Sequence, residues 1–154
     1  MCGNSQVSRS WDFIVEVGQN SYFWSMNRKE KFTIGLIKSK IKEKDSRAEV
    51  ILFGSHARGE ARMDSDWDIL ILLDSLHVTR NIEKEYREEL FDVELETGEP
   101  ISTFVYSKYE WESKHSVTPL YHSIKRDGII LQWREQKKIE VKVINEKLKD
   151  LIYT

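Results

Sequence analysis

At 154 residues the chain is long enough for one domain with a genuine core and too short for two ordinary ones. Its 40% hydrophobic and 32% charged residues are those of a globular protein, and 24 Lys and Arg against 26 Asp and Glu leave a net charge of −2, which argues against a domain that coats nucleic acid through bulk charge. No apolar run approaches the ~20 residues needed to span a bilayer, and no secretory pattern opens the chain, so no membrane partner is expected.

Residues 1–27 differ from the rest, being rich in Ser, Asn and Gln without a sustained period. They read either as a poorly ordered N-terminal extension before a second start at Met26, or as a tail packing through Trp11, Phe13 and Trp24. The single cysteine, Cys2, cannot form an internal disulfide, so a reducing, cytoplasmic setting is expected. From residue 28 to 154 the pattern is that of one domain. Ile34, Ile37 and Ile41 recur at helical spacing and predict a helix over 28–45. AEVILFG (48–54) reads as a strand ending in glycine, and DWDILILLD (66–74) as a second whose unbroken apolar centre suggests burial on both faces. Ile82, Tyr86, Leu90 and Val93 predict a helix running to Thr97 and stopping at Gly98 and Pro100.

ISTFVYS (101–107) is a third strand by β-propensity. Ser107 followed by Glu110 is a capping-box pattern for a short helix through Trp111, and Thr118-Pro119 opens another that ends at Asp127-Gly128. IILQW makes a last short strand. Val141, Ile144, Leu148 and Leu151 mark a charged amphipathic helix over 134–150. Helices and strands alternate throughout, so the class is α/β.

The chemistry gathers in GSHARGEARMDSDWD, residues 54–68. A strand has a side-chain period of two, so Asp66 and Asp68 share a face while Trp67 points to the other. Their carboxylates converge on one hard cation, and Mg²⁺ is typically held by one or two carboxylates plus substrate phosphates. Gly54 and Ser55 lie between a strand end and a helix start. There, glycine allows close backbone approach to a phosphate and free N–H groups attract anions. Arg58 and Arg62 are four apart and, on a helical turn, share a face from which to steady a polyphosphate. Gly54, Ser55, Arg58 and Ser65 form the expected nucleotide-binding set. His56 is read as a neighbour of the site, and Trp67 as packing.

This stretch resembles the signature of the DNA polymerase β-like nucleotidyltransferase superfamily, a Gly-Ser followed after ten residues by Asp-x-Asp. It is most similar to the small members called minimal nucleotidyltransferases. The resemblance implies a small mixed sheet flanked by helices, and Mg²⁺-dependent transfer of a nucleoside monophosphate, AMP from ATP, onto a hydroxyl acceptor. Asp66 and Asp68 would be the catalytic, metal-binding pair. It also implies a partner for small members of this kind, a HEPN-domain ribonuclease toxin whose tyrosine is modified. Active members usually carry a third carboxylate on a later strand, yet ISTFVY contains no acid. Asp92 is the expected third metal ligand if the preceding helix ends early and FDVEL is a strand. Two other readings stand beside transfer to a toxin: a nucleotide-binding antitoxin that acts by contact alone, and an antibiotic adenylyltransferase.

Overall fold

The computed structural model describes residues 15–16 and 25–131. Helix α1 (Arg28–Lys44) starts at a reciprocal cap. The Asn27 side chain accepts from the Glu30 backbone N–H, and Glu30 Oε2 accepts from the Asn27 N–H, both at 2.9 Å. Two orphan donors are satisfied at once, which sharpens the helix start. Strand β2 (Glu49–Phe53) passes directly into the short helix α2 (Gly54–Arg58), and a loop leads to β3 (Trp67–Leu73). Helix α3 (Arg80–Thr97) is capped by the Thr79 side chain and ends at Gly98. Then come β4 (Ile101–Ser107), α4 (Lys108–Ser113), α5 (Pro119–Asp127) and β5 (Ile129–Ile130). Ser107 and Thr118 cap α4 and α5, with Pro119 in the first turn of α5, as their spacing predicts.

A two-residue strand β1 (Val15–Glu16) completes a mixed sheet of order β1-β5-β2-β3-β4. Strand β3 lies antiparallel to β2 and parallel to β4. Its residues Ile69 to Leu72 are wholly enclosed, because both faces of the sheet are covered. On one face Val50, Leu52, Trp67, Ile69 and Ile71 pack in one core with Ile37 and Ile41 of α1 and Leu90 and Val93 of α3. On the other, Ile51, Phe53, Leu70 and Leu72 pack with Trp111 of α4 and Tyr121 and Ile124 of α5. Each such Leu or Ile contributes about 1.5–3 kcal/mol by leaving water. The central strand is therefore the best-anchored element, and what it carries at its mouth is held in register with both neighbours.

Of the predicted last strand IILQW, Ile129 and Ile130 form β5, Leu131 follows with its N–H donating to Val50 O at 2.7 Å, and residues 132–133 lie outside the described residues. The predicted helix over 134–150 and most of residues 1–27 lie outside the described residues. Among the described residues no helix is long and apolar enough to cross a membrane.

Ile71, fully buried in the first core, tests the two-sided packing of β3. Ile71→Ala should lower unfolding free energy by about 2–5 kcal/mol, read from the shift of the urea midpoint at unchanged m-value.

Candidate active site

Phe53, the last residue of β2, pairs with Asp68 of β3, so the chain enters α2 abreast of that acid. Gly54 adopts φ +73°, and a Cβ there would lie 2.1 Å from Asp68 Oδ2. Both facts require glycine, one through backbone conformation and the other through space. The Asp68 carboxylate thus faces the Gly54-Ser55 turn. Asp66 stands just outside β3, exposed, on the same face, while Trp67 between them is fully buried on the opposite face.

The two acids feel each other. Partial burial, and then the charge of Asp66, push the Asp68 carboxyl above the ordinary aspartate range, while His56 and Arg58 pull it back. The protein's own cations therefore do not offset the pair. An acidic mouth left in that state suits an external cation.

Helix α2 is brief, because Gly59 takes φ +70° and its N–H closes onto Ser55 O. Arg58 and Arg62 consequently do not share a helical face, contrary to the four-residue spacing. Arg58 ends α2, where its Nε donates to Glu60 Oε2 at 2.9 Å. Arg62 lies in the following loop, its backbone N–H donating to Ser65 Oγ at 2.7 Å. Ser65 in turn gives its carbonyl to His56 Nε2 at 3.2 Å, which requires the proton on that nitrogen. Ser65 thus closes the loop that carries Asp66.

Asp92 is not brought to the site. Helix α3 continues through Thr97, so FDVEL is no strand, and Asp92 points outward, 3.7 Å from Lys40 of α1. Its neighbour Val93 belongs to the core on the face opposite Asp68. The position that does stand beside the pair is Ser102 of β4. It is in register with Asp68, and its Oγ donates to Asp66 Oδ2 at 3.3 Å. Sequence reasoning passed over Ser102 because it sought an acid; a register count across two parallel strands would have singled it out. Among the described residues no group of three or more His, Cys, Asp and Glu gathers to hold a metal ion.

The chain matches the family model for a nucleotidyltransferase domain over residues 34–151. It belongs to that family. A search of the curated proteins finds no match. Among solved structures it is similar to a toxin–antitoxin crystallised with AMP-PNP, at 16% identity and a TM-score of 0.48, over 82% of this chain and 90% of that one. It is similar also to a mutant of the toxin–antitoxin MntA–HpeT, at 15% identity and a TM-score of 0.47, with the same coverage. For a nucleotidyltransferase domain, the residues present suit one hard cation. Two carboxylates on one face, one of them beside a glycine turn, are oxygen donors of the kind such a cation takes, with its remaining positions left to other oxygens.

Two outcomes test this geometry. Gly54→Ala forces either the turn or Asp68 to move, and should weaken Mg²⁺-dependent ATP binding by tenfold or more in calorimetry. The raised Asp68 carboxyl also affects stability. The native state holds this proton at higher pH than the unfolded chain, so the contribution is full below the unfolded value and is lost as pH rises through the raised one. Asp68→Asn should therefore raise the metal-free melting temperature at pH 7, by about 1–3 °C given solvent screening, with the gain shrinking as pH falls through the raised value and gone below about pH 4.

Proposed function

We propose that this nucleotidyltransferase domain carries out Mg²⁺-dependent transfer of a nucleoside monophosphate, AMP from ATP, onto a hydroxyl acceptor. The observation that carries the reading is the Gly54 backbone packed against the Asp68 carboxylate, which sets the Gly54-Ser55 turn beside the acid pair. Asp66 and Asp68 would hold the metal together with oxygens of the triphosphate. A bound Mg²⁺ would supply neutralisation of charge developing on the phosphate oxygens and a lowered pKa for the acceptor hydroxyl. Ser55 and the backbone N–H groups of the turn orient the polyphosphate, with Arg58 close enough for its charge to be felt at Asp68. His56 is engaged by its stack on Trp67 and by the bond from Nε2 to Ser65 O, and serves the site's shape.

For the acceptor we favour a tyrosine hydroxyl on a HEPN-domain toxin, with modification as the antitoxin action, which is what the resemblance to minimal nucleotidyltransferases implies. Incubation with α-labelled ATP and Mg²⁺ should label the partner, and Asp66→Asn or Asp68→Asn should lower the rate at least 100-fold. A wild type that binds ATP tightly but labels no acceptor, the partner included, overturns transfer.

Ser102 favours a second reading, a nucleotide-binding antitoxin that acts by contact. Where an acid would give the pair a third charge, this chain places a neutral hydroxyl. Two carboxylates and a triphosphate suffice for one cation, whereas clamping both ends of an in-line displacement uses two. Ser102→Asp should then raise transfer at least tenfold over wild type. Protection from the toxin by the Asp66→Asn, Asp68→Asn double variant, equal to that by wild type, decides for contact.

A further inference from the structure

The turn and the acid pair lie on different segments, and something must hold them at a set separation. The Gly54 backbone lies against the Asp68 carboxylate, which itself stands beside the like-charged Asp66. The fixings lie on the back of the sheet. His56 of α2 stacks on Trp67 of β3, ring centroids 3.8 Å apart and planes 9° from parallel. Trp67 is fully buried, and its Nε1–H donates to Glu99 Oε2. The Trp67 backbone N–H donates to Pro100 O at 2.9 Å.

Glu99 is itself held on several sides. Lys29 Nζ lies 3.1 Å from Oε1, Thr33 Oγ1 3.4 Å from Oε2, and its backbone N–H donates to Thr97 Oγ1 at 3.2 Å. Burial works to raise its carboxyl, but the hydrogen bonds from Trp67 and Lys29 outweigh it, and the group is held below the usual range. Glu99 is thus ionised at neutral pH and can only accept. An ionised acceptor fixes the indole N–H more firmly than a neutral one would.

We propose that Glu99 is a positioning residue for the candidate site: through Trp67 and the His56 stack it fixes the separation between the Gly54-Ser55 turn and the Asp66/Asp68 pair. The indole lies between the two acids in sequence, and the imidazole lies two residues after Gly54, so each ring is tied to one half of the site. Losing the Glu99 bond frees the indole to rotate, and the stack can no longer hold one segment against the other. Either half can still meet its own ligand. What is lost is their cooperation, since a triphosphate on the turn no longer presents its oxygens to a cation on the acids. Coupling between two sites is a measurable quantity, here the ratio of ATP affinity with and without Mg²⁺. This inference rests on the nucleotide reading above for its functional half only.

The test uses Glu99→Ala, Trp67→Phe and Glu99→Gln, the last keeping an acceptor oxygen and serving as rescue. In Glu99→Ala and Trp67→Phe, amide hydrogen exchange across residues 54–59 should quicken about tenfold while exchange in α3 is unchanged. The Mg²⁺-dependent gain in ATP affinity should fall about tenfold, with metal-free ATP affinity within twofold of wild type. Glu99→Gln should recover most of both. An unchanged Mg²⁺–ATP coupling in folded Glu99→Ala overturns the proposal, as does quickened exchange spread evenly over the whole domain. Should wild type itself show no such coupling, the nucleotide reading fails. Exchange at 54–59 then still decides for the clamp if it quickens in Glu99→Ala, and against it if it does not.

Discussion

The close approach of one glycine backbone to one carboxylate sets the rest of this structure in place. Asp68 occupies the space where any other residue at position 54 would put its Cβ, and the chain reaches that point through a positive φ. For the contact to exist, β2 must end at Phe53, in register with Asp68, and α2 must start at once. Those requirements pass inward to β3, whose apolar centre is enclosed by α1 and α3 on one face and by α4 and α5 on the other. A central strand so well anchored can carry an acidic pair at its mouth, because the energy of the core far exceeds the cost of two like charges near solvent.

Strand parity then divides labour between the two faces of one short segment. Asp68 faces the turn with Asp66 on the same side, while Trp67 goes to the back, where it meets His56 and Glu99. The same three residues therefore supply both charge and attachment. Ser102 stands where parallel pairing brings β4 abreast of Asp68, and its hydroxyl gives Asp66 a neutral partner. The hydroxyl adds no positive charge to the pair, which suits an external cation better than a site already neutralised by an arginine or lysine.

Much of this was legible in the residues. The caps at Asn27, Thr79, Ser107 and Thr118 follow local chemistry, so α1, α3, α4 and α5 start close to where periodicity and capping place them. Errors arose where a local pattern was extended past its stop or where a distant pairing decided. Arg62 has helical spacing from Arg58, but Gly59 turns the chain left-handed between them. Asp92 was given a strand only if its helix ended early, and the helix persists because Tyr86, Leu90 and Val93 are drawn into the core as one stripe.

By itself the sequence determined the elements and the chemical types at the site, since helix caps, strand parity and the Gly-Ser and Asp-x-Asp groups depend on neighbours a few residues away. The tertiary structure alone decided which residues from afar complete it. Ser102 lies 36 positions from Asp66 and Glu99 lies 32 from Trp67. Their contacts follow from the parallel register of β4 on β3 and from the packing of α1 over the same strand end. No spacing in the chain encodes those distances, because loop length and sheet order set them together.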